Sequence, residues 1–195
     1  MSNSALPPSR SVEWPPCLGE IPLQVDSYLR KRLNGRALTG ISAGLEYQLA
    51  SGGKRFRPAL AVWLGDALGA DREATICFGS AVELLHNFFL IQDDIQDGDH
   101  YRRGRLTLWR EIGTPRALNV ADYFLAEAYL WVQDAAPDES TESLLTKAFT
   151  ETFQTTVVGQ ALDLERHLPP IGTPTFASSV KKPENTSPCR GSGRL

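Results

Sequence analysis

The sequence predicts an all-α protein, and three observations carry that expectation. From Leu23 to Glu165 apolar residues recur at three- and four-residue spacing, the period of a helix with one buried face. The apolar/polar alternation of a half-buried strand is almost absent from the same stretch. Only three of the 13 prolines, Pro58, Pro115 and Pro137, fall within it, so long helices are permitted. With 42% apolar residues in a chain of 195, there is material for one well-filled core.

Taken in order, the pattern predicts helices over about residues 24–34, 38–50, 57–69, 72–97, 116–134 and 139–166. The first ends at Asn34-Gly35 and the second at Ser51-Gly52-Gly53, where glycine breaks the period. Pro58 suits the opening turn of the third. The fourth is apolar around most of its circumference (Val82, Leu84, Leu85, Phe88, Phe89, Leu90, Ile91), which marks it as the central helix of a bundle. Gly98, Gly104 and Gly113 with Pro115 separate it from the fifth.

The two ends differ from this middle. Five prolines lie in residues 1–22 and five more in 169–195, and net charge runs from -1 (1–22) through -6 (23–165) to +4 (166–195). The expected organisation is a disordered extension over 1–22, a helical domain over 23–168, and a Pro/Ser/Thr-rich disordered tail over 169–195. The overall net charge of -3 gives no basis for nucleic-acid binding through a basic surface. No run of 18 apolar residues and no basic-then-apolar start is present, so neither a transmembrane segment nor a secretory signal is expected. Cys17, Cys77 and Cys189 are scattered and odd in number, which fits a reducing compartment, and the expected location is cytoplasmic.

The central helix runs into Gln92-Asp93-Asp94-Ile95-Gln96-Asp97. Asp93 and Asp97, four apart, share a helical face, Asp94 sits about 100° round the axis, and His86 lies seven residues back on the Asp93 stripe. Like charges stacked beside an apolar core call for neutralisation, and two or three hard oxygen ligands suit Mg²⁺, which keeps its waters and completes its shell with phosphate. A solvated acidic helix end reads the same way in isolation. Its neighbours point to phosphate. Tyr101-Arg102-Arg103-Gly104-Arg105 follows closely, and Ser51-Gly52-Gly53-Lys54-Arg55-Phe56-Arg57-Pro58 sets flexible glycines and three cations at a helix start, an anion cradle in which backbone N–H groups add to the side chains. Together the three segments describe a site for two diphosphates and bridging metal.

Gly52 to Pro58, Glu83-Leu84-Leu85-His86-Asn87 leading into Asp93 to Asp97, Arg102 to Arg105, and Gly159-Gln160-Ala161-Leu162-Asp163-Leu164 occur in an order and spacing that strongly resemble the trans-isoprenyl diphosphate synthases, the polyprenyl synthetase family, over roughly residues 23–168. The resemblance implies an isoprenoid-synthase-type helical bundle around a central cavity, Mg²⁺ dependence, a homodimer, and head-to-tail condensation of an allylic diphosphate with isopentenyl diphosphate. It implies that Asp93 and Asp97 are Mg²⁺ ligands with Asp94 in support. Arg102 would hold the allylic diphosphate, and Lys54, Arg57, His86 and Arg103 would hold isopentenyl diphosphate. Gln160 and Asp163, at i and i+3, would face the Asp93 stripe across the cavity. Ionisation of the allylic C–O bond would be stabilised by Mg²⁺ and Arg102, an apolar cavity would protect the cation, and released pyrophosphate would take the final proton.

Phe88 and Phe89 lie about 6–7.5 Å before Asp93 along the helix. Bulky residues there cap the product pocket in this family and imply a short-chain product of the geranyl or farnesyl class; both also suit an ordinary core. Two departures are mild: Leu106 stands where proline is typical, and Ala121-Asp122 where Gly-Asp is common. A larger one is that the family's second Asp-rich segment, expected well beyond Gly159-Gln160, is missing, so the chain is expected to be C-terminally truncated. A non-catalytic remnant or partner subunit of a full-length synthase is the alternative. A class I terpene cyclase shares the acidic motif but has no need of the Lys54/Arg57 cradle.

Overall fold

The structure, a computed structural model, describes residues 19–34 and 40–167. The expectations for the N-terminal extension up to residue 18, for the 169–195 tail, for Cys17 and Cys189 and for the break at Gly35 lie outside the described residues. Seven helices make up the described chain: α1 (Ile21–Asn34), α2 (Ser42–Ala50), α3 (Phe56–Ala67), α4 (Arg72–Gln96), α5 (Leu108–Ile112), α6 (Thr114–Asp134) and α7 (Glu139–His167). The all-α expectation therefore holds, with the predicted helices recovered to within a few residues. The chain forms two compact units, one through Glu151 and one from Thr152.

The longer helices of the first unit carry apolar stripes. In α1, Ile21, Val25, Leu29 and Leu33 recur every fourth residue and are all buried, at 4% exposure or less. Burying each contributes about 1.5–3 kcal/mol, an upper bound for an extended reference chain. Helix α4 starts where Asp71 accepts a hydrogen bond from Ala74 N at 2.8 Å, a side-chain cap for an orphan N–H. It ends at Asp97, after which Gly98 takes φ +69° and Asp99 N returns to Asp94 O at 3.0 Å. Helix α4 packs chiefly against α3 and α6. It is the one described helix long and apolar enough to cross a membrane, a test that a core helix also passes, and just over half of its most apolar window is buried within the fold.

Two close approaches set the helix positions. A Cβ on Gly79 of α4 would stand 3.1 Å from the Pro58 carbonyl oxygen and 3.3 Å from Pro58 Cα, so the start of α3 rests directly on α4. A Cβ on Gly44 of α2 would come within 2.7 Å of Val120 Cγ2 on α6. On α6, Ala117, Val120, Ala121, Phe124, Ala128 and Trp131 are all fully buried. The buried acid there, Glu127, accepts from Tyr123 Oη at 2.7 Å and from Trp131 Nε1 at 2.8 Å, which satisfies its carboxylate.

Between α4 and α6, where glycines interrupt the helical period, the structure adds a short element that the sequence pattern does not predict. Tyr101–Arg102 (β1) and Arg105–Leu106 (β2) pair antiparallel, with Tyr101 opposite Leu106. The turn residues Arg103 and Gly104 have φ of 54° and 78°, the positive values that a tight hairpin turn needs. The five-residue α5 that follows was also not expected. Strands of two residues carry no period to read.

Candidate functional site

The loop between α2 and α3 begins with Gly52 at φ +76° and ends at Arg55, a non-glycine residue in the left-handed region (φ 47°, ψ 34°) that precedes the first residue of α3. Arg55 is buried at 5% exposure. Its Nε donates to Asp26 Oδ1 of α1 at 2.7 Å, its Nη1 to Glu83 Oε1 of α4 at 2.6 Å, and its Nη2 to the Leu49 carbonyl of α2 at 3.2 Å. Burial works against its charge, but Glu83 and then Asp26 hold the guanidinium above its ordinary range. Glu83 Oε1 also lies 3.4 Å from Asn87 Nδ2, and Asn87 Oδ1 accepts from Gln48 Nε2 at 3.3 Å, giving a buried polar chain from α2 to α1.

With the Arg55 guanidinium turned inward, its neighbours Lys54 and Arg57 are exposed and line an open cleft of about 710 Å³ together with Gly53, Phe56, Glu83, His86, Arg103 and the small exposed part of Arg55 itself. Arg103 Nη1 donates to the Gly52 carbonyl from the hairpin turn, and a Cβ on Gly53 would stand 2.9 Å from that nitrogen, so the glycine leaves the space the guanidinium occupies. Arg57 Nη1 lies 3.3 Å from His86 Nε2. A guanidinium has no acceptor, so this ring nitrogen accepts and the proton sits on Nδ1. Burial first, and then the charges of Arg57, Arg103, Arg102 and Arg55, pushes the His86 imidazole down to about 4, so it is neutral at pH 7. Lys54, Arg57, His86 and Arg103, the four residues expected to hold one diphosphate, are thus brought to a single cleft.

The carboxylates follow along α4. Asp93 lies seven residues from His86, and Asp97, exposed, caps the helix with its N–H bonded to Asp93 O at 2.8 Å. Asp94 points elsewhere. It is buried at 2% exposure and accepts from Arg102 Nε at 2.7 Å, tying the hairpin to α4. Burial holds its carboxyl above the usual carboxylate range although Arg102 opposes the shift. Asp94, expected in support of the metal ligands, is here engaged with Arg102. Among the described residues no three His, Cys, Asp or Glu side chains form a ready-made metal cage. Two hard carboxylates one helical turn apart fit an ion that keeps most of its waters and binds through a phosphate, as Mg²⁺ does, and do not fit a zinc- or calcium-type cage.

Phe88 and Phe89 are buried, with ring centroids 5.1 Å apart at 71°. Gln160 and Asp163 lie three residues apart on the part of α7 within the second unit. Sequence reading missed the inward turn of Arg55 and its pairing with Asp26 and Glu83. The only signal was three cations crowded into one short loop, more than a single anion site needs.

The sequence profile of the polyprenyl synthetase family matches residues 39–180. The chain belongs to the polyprenyl synthetase family. Among curated relatives, a geranylgeranyl diphosphate synthase of Saccharolobus solfataricus is 38% identical over 116 residues, 58% of this chain and 35% of that protein. A farnesyl diphosphate synthase of Micrococcus luteus is 32% identical over 133 residues, 66% of this chain and 46% of that protein. Among solved structures, a geranylgeranyl pyrophosphate synthetase of Geoglobus acetivorans superposes with a TM-score of 0.70 at 30% identity, covering 75% of this chain and 48% of that one. An FPP/GFPP synthase of Zymomonas mobilis gives a TM-score of 0.73 at 26% identity, covering 79% and 58%. The described helices are therefore those of an isoprenoid-synthase bundle, and the chain spans between about a third and a half of the length of these curated polyprenyl synthetases.

Proposed function

We propose that the protein is a prenyltransferase that condenses an allylic diphosphate with isopentenyl diphosphate and yields a short-chain isoprenyl diphosphate for isoprenoid biosynthesis. The observation that carries this reading is the convergence of Lys54, Arg57, His86 and Arg103, drawn from a loop, a helix start, a mid-helix position and a hairpin turn, on one cleft on the side of α4 that leads to Asp93. Geranylgeranyl and farnesyl diphosphate synthases among the relatives support the short-chain class.

In this reading Lys54, Arg57 and Arg103 bind the isopentenyl diphosphate group, and the neutral His86, with its proton on Nδ1, orients Arg57 through Nε2. Arg102, oriented by Asp94, faces the charge that develops on the departing diphosphate. Asp93 and Asp97 would hold Mg²⁺, which when bound neutralises diphosphate charge and so favours ionisation of the allylic C–O bond. Gln160 and Asp163, on α7, are further candidates for substrate binding. Phe88 and Phe89, both buried, are placed under the growing tail and shorten the product. We place the protein in the cytoplasm, in keeping with the free, buried Cys77 thiol.

The test is an assay of the full chain with Mg²⁺, isopentenyl diphosphate and dimethylallyl or geranyl diphosphate. Release of pyrophosphate with a product one five-carbon unit longer is the expected result. Diphosphate binding without turnover would instead identify a partner or remnant subunit, and no binding at all would overturn the site.

A further inference from the structure

We infer that Arg55 is a positioning residue of the diphosphate cradle, setting Lys54 and Arg57 through a buried three-way anchor and never touching substrate; this rests on the diphosphate reading above. The guanidinium spends its donors on Asp26 of α1, Leu49 O of α2 and Glu83 of α4, so three helices meet at the residue that opens α3. The same contacts hold Arg55 in a left-handed backbone conformation that a non-glycine residue adopts only when its surroundings fix it. Lys54 precedes this residue and Arg57 follows it by two; all three border the cleft, but Lys54 and Arg57 are exposed to it whereas Arg55 keeps only 5% of its surface open and its guanidinium donors are taken up by Asp26, Glu83 and Leu49 O.

Electrostatics alone cannot account for a contribution of Arg55 to anion binding. Its single positive charge faces two carboxylates, Asp26 and Glu83, so the buried cluster is not a cation, and its exposure of 5% leaves little of it for a ligand. Any effect of Arg55 on diphosphate affinity must pass through the loop that it shapes. That loop is also held from the other side, where Arg103 bonds to Gly52 O. Lysine at position 55 would keep the charge but could not reach the acceptors of three helices with one planar fork.

The test is calorimetric titration of the full chain with inorganic pyrophosphate at fixed ionic strength, with helix content by circular dichroism. Arg55→Lys is expected to weaken binding about tenfold while helix content stays unchanged. In a Lys54→Ala/Arg57→Ala background the same change is expected to cost under about twofold, because the residues through which it acts are gone. Asp26→Asn provides a second arm that perturbs the anchor more gently, since Asp26 is partly exposed. Removing a negative charge near the cleft would tighten anion binding on electrostatic grounds, whereas loosening the anchor weakens it, and an about threefold loss is expected. A folded Arg55→Lys that binds within twofold of the parent, a loss of equal size in both backgrounds, or tighter binding by Asp26→Asn would each overturn the inference. Failure of the underlying reading is seen separately, as pyrophosphate binding that Lys54→Ala/Arg57→Ala leaves intact.

Discussion

Arg102 Nε donates to Asp94 Oδ1 at 2.7 Å, so the β1–β2 hairpin is fastened to the buried side of α4 beside Asp93. Asp94→Ala removes the acceptor and leaves a small cavity. The expected loss is about 1–3 kcal/mol of stability, with faster amide exchange in residues 101–106 and smaller change in α6. Asp94→Asn keeps the volume and one acceptor oxygen, and is expected to lose less than half as much. Thermal denaturation and hydrogen exchange of the three proteins check both statements.

His86 supplies a pH prediction. Its folded value of about 4 lies below the ordinary 6.5, so between these values the unfolded chain binds a proton that the folded chain does not. This contribution to stability is complete above pH 6.5 and is lost as pH falls toward 4, and His86→Gln should flatten that part of the profile. NMR titration of the imidazole should give a midpoint near 4 in the free protein, rising when pyrophosphate binds, because the anion offsets Arg57 and Arg103. A free midpoint near 6.5 would contradict the packing described.

Gly79 sits where a Cβ would meet the backbone of Pro58, and backbone gives way less readily than the tip of a side chain. Gly79→Ala should cost about 1–3 kcal/mol through overpacking. It should also weaken pyrophosphate binding, since Pro58 adjoins Arg57. A variant with unchanged thermal midpoint and affinity would show that α3 can shift without consequence.

Removal of metal should separate the two ends of the site. Mg²⁺ is expected to tighten pyrophosphate binding in the parent chain. Asp97→Asn should lose most of that gain while keeping the metal-free affinity within about twofold, because Lys54, Arg57 and Arg103 remain. Titrations with and without EDTA read both quantities.

Phe88 and Phe89 pack edge-on to each other, so truncation to alanine would cost about 3–5 kcal/mol each and confuse stability with product length. Phe89→Leu is the gentler probe. It is expected to remain folded and, where turnover is measurable, to shift products toward one further five-carbon unit; an unchanged product profile in a folded variant would remove Phe89 from chain-length control.

Some of this architecture was readable from the chain. Helix α4 was legible nearly to the residue because its limits are written in side chains: Asp71 caps its start and Gly98 stops it. Val25, Leu29 and Leu33 fall within the stretch that was legible as α1, whereas Ile21, read with the N-terminal extension, is the buried first residue of that helix. The hairpin was not legible, since two-residue strands have no period and Arg103-Gly104 is not a usual turn pair. Within the site, the residues that line the cleft were legible as cations beside glycines. The division of labour among those cations was not, because Arg55 is distinguished from Lys54 and Arg57 by Asp26 and Glu83, 29 and 28 residues away, and no local pattern records a partner at that distance.

Among the described residues, two non-glycine positions have positive φ, Arg55 and Arg103, and both flank the same cleft. In an L-residue that conformation costs about 1–2 kcal/mol, a penalty that glycine escapes. At each site the locally cheapest residue is therefore one that would abolish either the anchor or the cation. Variants selected for heat resistance alone should accumulate glycine, or asparagine, at position 103, where the guanidinium is exposed, and lose affinity as they gain robustness, whereas at position 55 the same change would leave Glu83 buried without its partner. The two optima pull apart at position 103 and coincide at position 55, so it is at the hairpin turn that a sequence shaped by ligand binding can be told from one shaped by folding.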